Sequence, residues 1–80
     1  MAKRVVRLPE VKRLSGLGRS TIYTRVAEHL FPKPFPLGPR MIGWLESEIF
    51  ALNAARVRGA SNDEIIALVA SLEADRKGAA

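Results

Sequence analysis

The chain has no cysteine, which excludes a disulfide framework and thiolate chemistry. It has one histidine, one tryptophan and one tyrosine. A lone His29 beside Leu30 and Phe31 reads as a helix-end residue, because a protein metal site usually needs about three or four ligands. With so few aromatic faces, recognition of unpaired bases by stacking has little support. Nowhere does an apolar run approach the roughly 20 residues of a membrane span. The basic N-terminus leads into Pro9, Glu10, Lys12 and Arg13 rather than into an apolar signal region. Six scattered glycines form no phosphate-binding loop. Glu46 and Glu48 lie two apart and would point in different directions on a helix, so complementing the helix dipole explains them better than acid–base catalysis does. The expectation is a cytoplasmic, non-enzymatic protein with no cofactor, no metal, no small-molecule substrate and no membrane partner.

Acidic residues are scarce in the first half. Residues 1–40 carry nine basic side chains against Glu10 and Glu28, a net of +7, whereas residues 41–80 carry four basic and six acidic side chains, a net of −2. A polyanion would therefore meet the front of the molecule. With 80 residues there is room for one domain, and in so small a core every buried apolar side chain matters.

Arg4–Arg7 is a short β-prone stretch, either paired with another strand or simply a lead-in. Leu8–Pro9–Glu10 starts a helix, with proline near the first helical position and an acid in the first turn. Leu8, Val11 and Leu14 face inward, and Ser15–Gly16 ends the helix. Leu17 plugs the core from the turn. A second helix runs from Arg19 to about Glu28 with Ile22 and Val26 buried, and Gly18 stands where a side-chain cap would be favoured. Three prolines in Pro32–Pro36 forbid a helix there. Phe35–Leu37, the turn Gly38–Pro39–Arg40 and Met41–Trp44 then read as a two-stranded hairpin with an edge strand marked by proline. The third helix runs to about Arg58, burying Ile49, Leu52 and Phe50, and Gly59 closes it. Ser61 and Glu64 form a capping box for a last helix to Arg76, in which Ile65, Leu68, Val69 and Leu72 make one apolar stripe.

A helix, a short glycine-containing turn and a second helix constitute a helix-turn-helix. A recognition helix presents its N-terminal residues to base edges in the major groove of DNA. Arg19, Ser20 and Thr21 occupy that place here; arginine can pair with guanine through two hydrogen bonds, and serine or threonine can bond base or phosphate. Arg40 at the hairpin tip, with Lys33 nearby, could lie along phosphates or reach the minor groove. Trp44 is expected to brace the hairpin behind the second helix.

Arg7–Leu8–Pro9–Glu10–Val11 and Ser15–Gly16–Leu17–Gly18–Arg19–Ser20–Thr21–Ile22–Tyr23, followed by Phe31–Pro32–Lys33–Pro34, Leu37–Gly38, Arg40, Gly43–Trp44 and Glu46–Ser47–Glu48–Ile49, resemble in order the AlpA family of phage and prophage regulators. The resemblance covers roughly residues 4–58. It implies a winged helix-turn-helix of the kind shared with MerR-type domains and phage excisionases, and sequence-specific binding of double-stranded DNA in the nucleoid. It further implies transcriptional regulation of a prophage or mobile element or, alternatively, service as an excision directionality factor. Position by position, Arg19, Ser20, Thr21, Tyr23, Thr24 and Arg25 fall on the recognition helix and Arg40 in the wing. The family usually has serine at the place of Gly18, and the segment from Ser61 onward extends past the family core.

The expected fold is mainly α. Residues 1–60 form a winged helix-turn-helix with a short β-hairpin wing, 61–76 an extra C-terminal amphipathic helix, and 77–80 a frayed tail. The last helix either folds back onto the core, the better reading in a chain this short, or docks on a second copy as a homodimer through Ile65, Leu68, Val69 and Leu72. A different class of function, a protein-interaction module, would also use that stripe.

Overall fold

Proline and glycine set the breaks between elements in the computed structural model, which describes residues 3–77. Most of the tail expected at 77–80 lies outside the described residues. Strand β1 is Val5–Val6, and helix α1 spans Leu8–Ser15 with Pro9 and Glu10 in its first turn. Gly16 ends α1 in the left-handed region (φ 73°), where its N–H donates to the Lys12 carbonyl at 2.9 Å. Helix α2 spans Arg19–Ala27. It closes through His29, at φ 62°. The His29 N–H reaches the Val26 carbonyl at 3.1 Å and the Leu30 N–H reaches the Arg25 carbonyl at 2.8 Å, the paired closure that glycine usually makes.

Strands β2 (Phe35–Gly38) and β3 (Met41–Leu45) form the hairpin, with helix α3 (Glu46–Val57) and helix α4 (Asn62–Asp75) following. The hairpin is joined by β1 into an antiparallel sheet of order β1-β3-β2. Val5 faces Leu45, Val6 faces Trp44, and Phe35 faces Gly43. The proline-bearing β2 lies at an edge, where a missing N–H costs least, and its register slips between Pro36 and Gly38. The opening β-prone stretch is thus a paired strand. The whole is mainly helical, a helix-turn-helix with a wing and an added C-terminal helix.

Gly43 in the central strand sits under close contact from both neighbours. A Cβ there would come within 2.9 Å of Leu37 Cδ1, 2.9 Å of Val5 Cγ1 and 3.0 Å of the Val6 carbonyl oxygen. The two side chains can yield, but the backbone oxygen cannot without disturbing β1. Gly43→Ala is expected to cost about 1–3 kcal/mol, the usual penalty for overpacking. Urea unfolding followed by Trp44 fluorescence measures it, and a loss below about 0.5 kcal/mol would mean that the strands separate freely.

The core gathers Val6, Val11, Ile22, Phe31, Trp44, Ile49, Leu52, Ala55, Ile65 and Val69. Trp44 is fully buried in β3. Its indole N–H donates to the Pro32 carbonyl at 2.8 Å, and its ring meets Phe31 edge-on at 6.3 Å. The extended proline segment is therefore pinned to the sheet. Leu8, Leu14, Leu17 and Val26 pack around this cluster. The Asn53 amide of α3 donates to the Leu14 carbonyl at 2.9 Å, satisfying one of the open carbonyls at the end of α1.

One expectation needs correction. Phe50 is 50 % exposed rather than buried. The inward face of α3 is set by Glu48, Ile49, Leu52 and Ala55, and Phe50, one step round the helix from Ile49, faces away from it. Of the two readings of the stripe Ile65, Leu68, Val69 and Leu72, the structure has the fold-back one: Ile65 and Val69 are buried in the chain's own core and Leu68 packs against it half-buried, rather than forming an open face for a homodimer. The expected capping box is present, with Ser61 Oγ accepting from the Glu64 N–H at 3.2 Å and Glu64 Oε1 accepting from the Ser61 N–H at 2.8 Å. Hydrogen bonding to the Glu64 carboxylate, first from the Ser61 backbone N–H and then from the Ser61 side chain, holds it below the usual carboxylate range.

Glu48 does more than complement the helix dipole. It is 2 % exposed. Arg76, beyond the end of α4, grips it with two hydrogen bonds, Nε to Oε2 at 2.7 Å and Nη2 to Oε1 at 2.8 Å. Arg76 Nη2 also donates to the Lys33 carbonyl at 2.8 Å, and its guanidinium lies 5.0 Å from the centre of the Phe35 ring. Glu73 Oε2 accepts from the Lys33 N–H at 2.8 Å. The end of α4 thereby ties the start of α3 to the root of the wing. Glu46, besides suiting the dipole, pairs with Arg4 at 3.0 Å.

Candidate nucleic-acid interface

Helix α2 differs from the other three helices at its start. The first turns of α1, α3 and α4 carry Glu10, Glu46 with Glu48, and Asp63 with Glu64, whereas α2 carries no acid. Its N-cap, Gly18, offers no side-chain acceptor. The first N–H groups of α2 are thus left without a side-chain cap, next to the Arg19 cation, where an anion is favoured. Gly18 is not demanded by crowding within the chain, for a Cβ there would meet nothing within 4 Å.

At about 100° per residue, Ser20 and Thr24 stand roughly opposite the buried Ile22. Arg19 and Tyr23 flank one side of α2, and Thr21 and Arg25 the other. Burial agrees: Arg19, Ser20, Thr21 and Thr24 are exposed, whereas Tyr23 and Arg25 are half-buried. The structure brings Arg19 and Tyr23 together, with the guanidinium 5.8 Å from the centre of the ring. Arg25 is set apart from this pair. It lines a different groove, together with Arg13 and Arg56. Arg13 is itself held by Glu10 through a hydrogen-bonded ion pair that keeps the Glu10 carboxyl below its ordinary range and raises Arg13.

Arg40 is exposed in the two-residue turn between β2 and β3. Lys33 is exposed at its side chain while both its backbone groups are held by the end of α4. His29 is an exposed helix-end residue. Sequence reasoning missed Arg76 and Glu73 as the residues that hold the wing root. No local signal marked them: the burial of Glu48 cannot be read from its place in the first turn of α3, and its partner Arg76 lies 28 residues away, just past the end of α4. No helix among the described residues is long and apolar enough to cross a membrane.

The uncharacterized protein ORF88 of Enterobacteria phage P4 is 44 % identical over 57 residues, covering 71 % of this chain and 65 % of that protein. This chain therefore spans just under two thirds of that relative's length. The DNA-binding transcriptional activator AlpA of Escherichia coli (strain K12) is 39 % identical over 54 residues, covering 60 % of this chain and 77 % of that protein. No solved structure matches the chain. The sequence profile described as prophage CP4-57 regulatory protein (AlpA) matches residues 4–51, from β1 into the middle of α3 and across both the helix-turn-helix and the wing, and the chain belongs to that family.

Proposed function

We propose that this protein is a non-enzymatic regulator that binds double-stranded DNA with the leading turn of α2. In this reading Arg19 reads a base edge, Ser20, Thr21 and Thr24 bond bases or phosphates beside it, and Tyr23 supports Arg19 from the flank. Arg40 and Lys33 hold phosphates from the wing. The observation that carries the reading is the uncapped, acid-free start of α2 with exposed Arg19, Ser20 and Thr21. Membership of a family of regulators supports it, as does likeness to a protein named as a DNA-binding transcriptional activator. The front-loaded positive charge supplies the attraction to phosphate, and the base contacts supply the choice of site.

Selection of bound duplexes from a random library by the full chain tests the reading. The expected result is a short enriched motif. Recovery of duplexes without any shared sequence would reduce the role to non-specific binding, and recovery of none would end it.

A further inference from the structure

An open groove of about 560 Å³ runs between the end of α1, the end of α2 and the second half of α3. Its lining includes the apolar side chains of Leu17, Leu30 and Val57, and its charged lining residues are Arg13, Arg25 and Arg56, with no acid. Arg25 and Arg56 form no ion pair among the described residues. Val57 at the rim is 89 % exposed. Phe50, Ala54 and Val57 are all exposed at i, i+4 and i+7 along α3, the spacing of one helix face, so an unpartnered apolar stripe leads into the groove. Large exposed apolar side chains in series beside a cleft mark a contact surface.

We propose that this groove docks an acidic amphipathic helix of a partner protein, its apolar side chains on Leu17, Leu30 and Val57 and its carboxylates on Arg25 and Arg56. Helix-in-groove recognition uses two or three apolar anchors at i, i+4 and i+7, and the arginine rim selects acidic flanks by charge complementarity. Two other occupants fit less well. A DNA backbone offers phosphates to the arginines but nothing to cover the leucines and the valine. A second copy offering its acidic helix α4 would bring Ile66 as that helix's one large exposed apolar residue, a single anchor where the groove offers several places, and one offering its own α3 stripe of Phe50, Ala54 and Val57 would bring the exposed Arg56 and Arg58 against the arginine rim. The surface is separate from the leading turn of α2, so the proposal stands or falls independently of DNA binding.

The test is a titration of the full chain, without DNA, with a synthetic helix bearing leucines at i, i+4 and i+7 and glutamates on the flanks, followed by amide and methyl NMR shifts. Saturable shifts confined to the groove are expected. Binding should weaken at least about tenfold for a scrambled peptide of equal composition, for a peptide with lysine in place of glutamate, and for the Val57→Glu variant. Val57 is exposed enough that this variant folds, and its duplex retention should be unchanged. Equal binding of the scrambled or lysine peptides overturns the proposal, as does absence of saturable shifts. Self-association of the full chain that Val57→Glu abolishes would assign the groove to a second copy instead. A shallower salt dependence of duplex binding in Arg56→Ala would assign it to phosphate.

Discussion

Arg76→Ala should destabilise the fold by about 3 kcal/mol, near the lower end of the range for breaking a buried ion pair. The lower end applies because the Arg76 side chain keeps 20 % of its exposure whereas that of Glu48 keeps 2 %. Removing the guanidinium leaves a carboxylate in the core whose remaining described partner is the Leu45 N–H at 3.4 Å. It also frees the Lys33 carbonyl and the face of Phe35. The midpoint of urea unfolding, read by Trp44, should fall with its slope unchanged. Amide exchange at Lys33 should accelerate more than exchange in α1, since Lys33 is held by Glu73 on the same helical end. An apolar pair, Glu48→Leu with Arg76→Met, should recover most of the stability, because well-packed apolar residues commonly equal a buried ion pair. If Arg76→Ala lies within about 0.5 kcal/mol of the parent, the guanidinium is not what satisfies Glu48.

The salt dependence of DNA binding carries the second large effect. If about six phosphates are neutralised from α2 and the wing, log K against log salt should fall with a slope of about −5. Affinity would then drop about a thousandfold between 50 and 200 mM salt. The charge asymmetry, +7 in residues 1–40 and −2 in residues 41–80, makes this a property of the front half. Arg40→Ala should make the slope shallower by about one unit while leaving the preferred sequence unchanged, as a phosphate contact would. A slope near zero would remove the electrostatic basis for placing DNA on this face.

Much of this architecture was legible because it is encoded locally. Pro9 and Gly16 bound α1, the three prolines after Phe31 force an extended path, and Ser61 with Glu64 announces α4; each rule acts within a turn or two of chain. The points that were not legible depend on contacts between distant elements. Val5–Val6 is too short to declare a partner, and only the pairing with Trp44 and Leu45 makes it a strand. Ile49 and Phe50 are adjacent apolar residues on one helix. The choice of which one faces inward is made by where α1 and α4 pack, not by their own hydrophobicity. Glu48 looks in sequence like any first-turn acid, and its burial depends on an arginine that arrives from beyond α4.

The candidate site divides in the same way. Arg19, Ser20, Thr21 and Thr24 follow from helix start and spacing alone. Arg25 shares the same short helix, and neither charge nor proximity in sequence could separate it from Arg19. Its position about 60° from the buried Ile22, on the side where α1 and α3 converge, turns it into a different groove. Lys33 likewise looked like a free cation near the wing. Its side chain is exposed, but its backbone is a fixed joint between the wing root and the last helix.

The most direct measurement compares the full base-by-base binding profile of the parent with that of Arg19→Ala on the selected duplex, at one fixed salt concentration. A loss of about 1–3 kcal/mol and relaxed discrimination at one or two base pairs are expected, with the remaining positions kept. An unaltered affinity and profile in Arg19→Ala would contradict the assignment of the leading turn of α2 to the bases.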